Sequence, residues 1–258
     1  RSVETFNVKS LARFLGRDAR DIEKLASQGR IPGQRVNGDW RFHSAEVHHW
    51  LEREIPGYSD AQLGRFEQSI RESADADADN LIIAPRLSID NIAIPLEGRT
   101  LPGVLRSLVE LANAHWQVFD SNKVFQAVRD RENTLPTSMP GGVAIPHPAS
   151  RMSTDLGESI IAFGRTNTGI PFANGQMVDL FFLILCREHR EHLQTIARLS
   201  RMFQRSDFLP GLRQVASPAE ALEFIEQVES DVAGKIFDRM SNLANVYIFK
   251  IVATGFVW

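Results

Sequence analysis

Residues 177–205, MVDLFFLILCREHREHLQTIARLSRMFQR, decide the fold class of this chain. The first ten of them are almost continuously apolar, which is typical of a strand that a sheet buries on both faces. From residue 191 onward the apolar residues recur at intervals of three and four, which predicts an amphipathic helix. A buried strand that leads into such a helix predicts an α/β domain.

The same alternation of strand and helix patterns continues on both sides of this stretch. Further strands are predicted over residues 87–98, 141–146 and 158–166, and further helices over residues 100–115, 123–134 and 217–228. The fold prediction for this part of the chain is therefore an α/β domain with a mixed sheet and covering helices.

The composition is that of an ordinary globular protein, with 258 residues, of which 43% are hydrophobic and 24% charged. A net charge of −3 excludes a bulk attraction of the chain to nucleic acid, so any such binding must come from a local patch. Cys186 is the only cysteine and lies in an apolar run, which favours a core residue over a nucleophile. One cysteine allows no internal disulfide, which fits a cytoplasmic protein. The apolar runs are too short to span a membrane, so no membrane insertion is expected.

Charge divides the chain into parts. Residues 1–56 carry a net charge of +2 and residues 57–80 a net charge of −4. The acidic stretch places Leu63, Phe66 and Ile70 at helical spacing, and it ends in an alternating ADADAD run that is too polar to bury anything. We therefore predict a small domain at 1–56, an acidic linker with a short helix at 57–80, a larger domain at 81–230 and an unassigned extension at 231–258.

The small domain shows the pattern of a winged helix-turn-helix. Apolar residues at helical spacing predict two short helices, within residues 5–16 and 18–29, joined by a glycine-containing turn. Asn37 and Gly38 predict a two-residue hairpin turn, so the flanking residues should pair as a small wing. Ser44 is predicted to cap a third helix.

The stretch GRIPGQRVNGDWRF, with a following helix that ends in WLERE, resembles the excisionase-like members of the MerR-type winged helix-turn-helix family. This resemblance implies that the small domain binds DNA, through basic side chains on the second helix and on or beside the wing. The six candidates are Arg17, Arg20, Lys24, Arg30, Arg35 and Arg41. One weakly basic unit would bind weakly, so useful affinity would need a dimer on paired half-sites. The alternative is a protein-interaction module with a solvated basic face.

Residues 124–148, VFQAVRDRENTLPTSMPGGVAIPHP, look like the signature of the type-2 enzyme IIA family of the phosphoenolpyruvate-dependent phosphotransferase system. That family covers fructose, mannitol and nitrogen-regulatory IIA domains. The resemblance implies that His147 accepts a phosphoryl group from a phosphocarrier protein of the HPr type, and that Arg131, Thr137 and His192 complete the active site. The implied modification is a covalent phosphate on histidine, with no cofactor.

These residue types suit the implied chemistry. Imidazole is a nucleophile that is neutral near pH 7, and phosphoryl transfer depends mainly on positioning and charge stabilisation. Arg131 can donate to phosphoryl oxygens, His192 can donate a hydrogen bond, and the backbone N–H groups near Gly141 and Gly142 could cradle the anion. Pro148 departs from the family, which usually has glycine or alanine there, and it removes a backbone donor.

No metal site is expected from the sequence. His189 and His192 lie three positions apart on a helix, as some metal ligands do, but no cysteine or nearby carboxylate set completes the site.

The combined prediction is a cytoplasmic regulator that couples the phosphorylation of a IIA domain, similar to the nitrogen-regulatory type, to DNA binding and transcription. The rival prediction is a phosphoryl carrier of a fructose- or mannitol-type uptake system, in which the small domain is a protein-interaction module. A third possibility is a IIA domain that has lost phosphoryl transfer and senses only by binding.

Overall fold

The computed structural model describes residues 5–72, 81–150 and 152–234. The ADADAD run and nearly all of the C-terminal extension at 231–258 lie outside these ranges, so the structure does not bear on those two predictions. Within the described ranges, no helix is both long enough and apolar enough to cross a bilayer.

The N-terminal domain is a helix-turn-helix with a wing. Its elements in chain order are β1 (Thr5–Phe6), α1 (Val8–Leu15), α2 (Ala19–Ser27), β2 (Gln34–Val36), β3 (Asp39–His43) and α3 (Ser44–Glu54). Asn7 caps α1 through the Ser10 backbone N–H, and Gly16 ends it in the left-handed conformation. Asn37 and Gly38 form the wing turn, both with positive φ, as predicted.

One local prediction for this domain was wrong, and one short strand was missed. Ser44 is the first residue of α3, and the N-cap position belongs to His43, whose side chain makes no capping bond. The short strand β1 was not predicted, because two residues give no periodic signal. It pairs antiparallel with β3, so that Phe6 lies opposite Phe42.

The predicted linker helix is present as α4 (Asp60–Glu72), and it packs within the chain. Leu63, Phe66 and Ile70 are buried. Phe66 meets Phe14 of α1 edge to face, with ring centroids 6.1 Å apart. The apolar face of α4 is therefore buried against the same chain in this structure.

The C-terminal domain is a five-stranded mixed sheet with helices. Its elements are β4 (Ile92–Ala93), α5 (Leu101–Ala112), α6 (Ser121–Thr134), β5 (Ser138–Met139), β6 (Val143–Ala144), β7 (Ile160–Pro171), β8 (Met177–Leu185), α7 (His189–Phe203), α8 (Phe208–Gln214) and a last helix, α9, described over residues 218–234. The strand order is β4-β7-β8-β6-β5. Strand β8 runs antiparallel to β7 and parallel to β6, which confirms the mixed sheet.

The long strand predicted at 87–98 is mostly absent. Two 3-10 turns, at Ala84–Arg86 and Ile89–Asn91, precede a two-residue strand. The Ser88 hydroxyl donates to Asn91 Oδ1 at 2.6 Å, and the Asn91 amide donates to Leu111 O at 2.9 Å. These side-chain bonds hold a turn where the apolar pattern alone favoured a strand.

Helices α4 and α7 join the two domains through buried ion pairs. The Arg198 guanidinium of α7 donates to Glu67 of α4 at 3.0 and 3.1 Å and to Glu229 of α9 at 3.1 Å. Arg201 also donates to Glu67, at 2.8 Å. One apolar core runs from α1 and α3 through α4 to α7 and β8. This packing places the C-terminal end of α3 over the N-terminal end of α7.

Candidate functional site

The candidate site forms where β6, α7 and α3 meet. The first of its side chains, His147, follows β6. After β6 the chain continues as Ile145-Pro146-His147. The Pro146 carbonyl accepts a hydrogen bond from the Ile184 N–H of the neighbouring strand β8 at 2.9 Å. His147 Nδ1 lies 2.7 Å from the backbone carbonyl oxygen of Ile145, two residues earlier in the chain. Because a carbonyl only accepts, Nδ1 carries the proton, and the lone pair lies on Nε2. His147 is 2% exposed.

The second side chain is His192, in the first turn of α7. Its ring centroid lies 4.8 Å from that of His147. His192 is 8% exposed. The structure thus brings together the two histidines that the sequence placed far apart.

The third side chain comes from the other domain and was not predicted. Glu52, near the C-terminal end of α3, places Oε1 3.2 Å from His192 Nε2 and Oε2 4.0 Å from His147 Nε2. Glu52 is 9% exposed. The helix-turn-helix domain therefore covers the histidine pair with a carboxylate. We call this the closed arrangement.

The electrostatics differ between the two rings. Burial, followed by the proximity of His192, lowers the pKa of His147 to about 3, so this ring is neutral at pH 7. Burial also opposes charge on His192, but its contacts with Cys186 and with the Glu52 carboxylate outweigh that effect and raise its pKa to about 9. Burial acts to raise the pKa of Glu52, but the pKa is lowered overall because His192 contacts the ionised form. A neutral imidazole therefore lies beside an ion pair.

Arg131 and Thr137 line a groove of about 360 Å³ that also contacts Glu52 and His147. The Arg131 Nη1 group donates to Leu135 O at 2.6 Å, and its buried Nε has no hydrogen-bond partner among the described residues. Thr137 is held by Glu132, which accepts from its hydroxyl at 2.6 Å and from its backbone N–H at 2.7 Å. Glu132 thus orients Thr137 and is a supporting residue that the sequence did not indicate.

The glycine pair does not face His147. Gly141 and Gly142 form the turn between β5 and β6, at the far end of β6 from the histidine, and both have positive φ. At this turn Arg213 donates to Gly141 O at 2.5 Å and to Asp179 at 2.6 and 2.7 Å. The expectation that these backbone N–H groups cradle an anion on His147 was therefore wrong, because the strand separates the two places.

Glu52, His147 and His192 are also the group that could hold a metal ion, with one ligand atom from each, all within 4.8 Å of one another. The carboxylates next to the His189–His192 pair in the sequence are not part of this group, and the structure supplies Glu52 from a distant helix. No local signal could have found it. Glu52 follows Leu51 on α3, and only the tertiary packing reveals which face of the other domain it meets.

The basic residues of the helix-turn-helix domain lie mostly in solvent. Arg20 and Lys24 are exposed on α2, and Arg30, Arg35 and Arg41 are exposed between α2 and the end of the wing. Arg35 lies over the Trp40 ring at 5.2 Å. Arg17 differs from the other five. It precedes α2, is half-buried, and lies over the ring of Tyr58 at 5.2 Å.

Comparison with known families agrees with this architecture. The family model "Phosphoenolpyruvate-dependent sugar phosphotransferase system, EIIA 2" matches residues 86–228, and a "Helix-turn-helix domain" model matches residues 5–54. The first match covers more than half of the chain. The chain therefore belongs to the type-2 EIIA family, and it carries an N-terminal helix-turn-helix domain.

Individual relatives match a little more than half of the chain. The "Nitrogen regulatory protein" of Pseudomonas aeruginosa is 30% identical over 145 residues, which is 55% of this chain and 89% of that protein. The "PTS system fructose-specific EIIABC component" of Bacillus subtilis is 26% identical over 149 residues, 56% of this chain but 23% of that protein. The chain thus spans less than a quarter of the Bacillus protein.

Solved structures of IIA domains share the fold over a little more than half of the chain. A phosphotransferase-system IIA domain from Streptococcus pyogenes M1 GAS superposes with a TM-score of 0.51 at 20% identity, over 58% of this chain and 98% of that one. A IIA domain from Streptococcus mutans gives a TM-score of 0.50 at 17% identity, over 58% and 96% of the two chains.

Proposed function

We propose that this protein is a cytoplasmic regulator in which phosphorylation of His147 and docking of the helix-turn-helix domain exclude each other. The single observation that carries the proposal is Glu52, a residue of the small domain that lies against the candidate phosphoryl acceptor of the EIIA domain. Modification of His147 would thereby control the position, and through it the DNA binding, of the small domain.

The transfer step needs only groups present in the site and a phosphorylated donor of the HPr type. The His147 Nε2 lone pair attacks the phosphorus, a P–N bond forms to Nε2, and the donor's P–N bond breaks with its electron pair returning to the donor nitrogen. Nδ1 keeps its proton, because Ile145 O accepts from it. Arg131 and Thr137 lie beside His147 and are suited to hold the phosphoryl oxygens.

Charge opposes this product in the closed arrangement, in which His147 Nε2 is buried close to the Glu52 carboxylate. Transfer of a phosphoryl group to a ring that keeps its Nδ1 proton changes the net charge at His147 by about −1, because the ring becomes cationic. At the 4.0 Å that separates Nε2 from Glu52 Oε2, the repulsion of the carboxylate by this net charge would be roughly 4 kcal/mol at an effective dielectric constant of about 20. Phosphorylated His147 therefore requires α3 to leave.

DNA binding by the small domain would change because the position of that domain changes. The basic residues of α2 and the wing are exposed in the closed arrangement, so docking fixes the position of this surface without covering it. Release of α3 would alter how two copies could place their helices on paired half-sites, and paired binding is what gives such small units useful affinity. Direct repulsion of DNA by the phosphate is unnecessary, because salt screens charges beyond about 8 Å at physiological ionic strength.

The alternative is a phosphoryl carrier for sugar uptake. A carrier exposes its histidine to a donor and an acceptor in every cycle, whereas His147 is 2% exposed beneath a residue of the fused domain. This burial favours regulation over carriage. Fast onward transfer of phosphate from this protein to a IIB partner would favour the carrier.

The test is phosphate mapping on the full chain. We expect acid-labile phosphate on His147 after incubation with phosphoenolpyruvate, enzyme I and the phosphocarrier protein. His147→Ala should abolish the label and His192→Ala should slow its appearance, while His115→Ala, an exposed control, should leave it unchanged. Normal labelling of the His147→Ala protein would contradict the assignment, and no labelling of the wild type would favour a domain that senses only by binding.

A further inference from the structure

We propose that Glu52, His147 and His192 form a binding site for a divalent transition-metal ion, best matched to Zn²⁺, that links the two domains in the closed arrangement. The three candidate ligand atoms, one carboxylate oxygen and two imidazole nitrogens, lie within 4.8 Å of one another. Zn²⁺ accepts carboxylate and neutral imidazole ligands, so His192 would release to solvent the Nε2 proton that it holds in its ion pair with Glu52 when the ion binds. A set of two histidines and one glutamate is known in three-ligand zinc sites.

Buried polar atoms without hydrogen bonds converge on one place. Among the described residues, Glu52 Oε2, His147 Nε2 and His192 Nε2 are buried and make no hydrogen bond, and His192 Nε2 has only its ion pair with Glu52 Oε1, at 3.2 Å. A buried polar atom without a partner costs about 1–3 kcal/mol, so three of them converging on one place are unusual. One cation bound between them would satisfy all three.

The geometry is close to that of a loaded site. With bonds of about 2.0–2.1 Å, the ligand atoms around a tetrahedral Zn²⁺ lie about 3.4 Å apart. In this structure one ligand atom from each of the three residues lies within 4.8 Å of the other two, so the widest of these separations would have to shorten by up to about 1.4 Å.

The surroundings of the ligand atoms also fit a metal. His147 Nδ1 donates to Ile145 O, and such a bond on the second nitrogen is what orients metal-binding histidines. The cavity of about 10 Å³ beside Glu52, Cys186 and His192 is near the volume that one water needs, so a water could serve as the fourth ligand.

The ion and the phosphoryl group would compete for the same lone pair. Both use His147 Nε2, so a bound ion would hold α3 in place and exclude phosphorylation. This regulatory consequence rests on the proposed function, whereas metal binding itself rests only on the three side chains.

The experiment is a titration of the unphosphorylated full chain with Zn²⁺ in competition with a chromogenic chelator. We expect one ion per chain. Glu52→Gln, His147→Ala and His192→Ala should each weaken binding by roughly tenfold or more, since even supporting residues around a metal contribute 10- to 100-fold. The matched controls Glu54→Gln, an exposed carboxylate on the same helix, and His115→Ala should bind as the wild type does.

Two results would overturn the proposal. Failure of the wild type to bind Zn²⁺ would refute it, and equal binding by the wild type and all three site variants would indicate an adventitious ion only. Because Glu52→Gln preserves size, a thermal unfolding curve like that of the wild type shows that weakened binding does not come from misfolding. Zn²⁺ binding that depends on the three residues would stand even if His147 were never phosphorylated, so the two proposals fail separately.

Discussion

Substitution of Glu52 by Gln should make His147 easier to phosphorylate. In the closed arrangement the Glu52 carboxylate lies 3.2 Å from His192 and covers His147, so a phosphocarrier reaches the acceptor only after α3 has left. Glutamine keeps the size of the side chain and removes its charge. The change therefore weakens docking with little loss of packing volume.

The magnitude follows from the ion pair between the Glu52 carboxylate and His192 Nε2, 3.2 Å apart, which the uncharged glutamine cannot form. A polar contact with a charged group contributes about 1.5–3 kcal/mol, and each 1.4 kcal/mol is a factor of about ten in an equilibrium constant. Docking should therefore weaken by roughly 10- to 150-fold. If the closed arrangement dominates in the wild type, the rate of phosphorylation should rise by a similar factor.

The assay is the initial rate of phosphate incorporation from a limiting phosphorylated HPr-type protein, measured side by side for the wild type, Glu52→Gln and Glu54→Gln. Glu54 is exposed and two positions further along the chain, so its variant should match the wild type. An unchanged rate in Glu52→Gln would mean that α3 does not control access to His147. A slower rate would assign Glu52 to the transfer machinery, which also contradicts the proposal.

Three further predictions concern DNA binding and domain docking. Alanine in place of one exposed basic residue of the small domain, tested at Arg20, Lys24, Arg35 and Arg41, should weaken binding to duplex DNA. Affinities measured at several salt concentrations should also show a slope of log affinity against log salt that is lower by about 0.9 for each phosphate that the side chain neutralises. The control Arg106→Ala, on α5, should have no effect. Arg198→Met should lower the free energy of unfolding by about 3–5 kcal/mol in denaturant titrations, because it leaves the buried Glu67 and Glu229 carboxylates with one cation fewer. The control Arg205→Ala removes a partly exposed ion pair and should lower the free energy of unfolding by only about 0–1 kcal/mol. Phe66→Ala should lower the free energy of unfolding by about 3–5 kcal/mol, because α4 then packs poorly. It should also weaken the dependence of DNA affinity on phosphorylation. Equal dependence in the wild type and the variant would mean that α4 only connects the two domains.

Much of the fold could be predicted because local patterns carry it. The apolar run that forms β8 and the spacing of apolar residues in α1 and α7 are unambiguous, and Asn37 with Gly38 specifies the wing turn. Helix α8 was missed because its sequence, FLPGLRQ, contains proline and glycine, which usually interrupt helices. The turns before β4 were missed because Ser88 and Asn91 side chains stabilise them.

The candidate site was only half predictable, for a physical reason. His147 and His192 follow from the resemblance to a family. Glu52 belongs to the other domain, and its position depends on how α3 and α4 pack on α7, through buried pairs such as Arg198 with Glu67. Tertiary contacts of this kind produce no periodic pattern of apolar residues in the sequence.

The central claim, that phosphorylation of His147 and docking of α3 exclude each other, is tested most directly by a distance between the two domains. Spin labels on cysteines introduced at Ser27, exposed on α2, and at Asn122, at the start of α6, would report it by electron paramagnetic resonance in the full chain. We predict one narrow distance distribution for the unphosphorylated protein, and a longer and broader one after complete phosphorylation. The same narrow distribution in both states would contradict the claim.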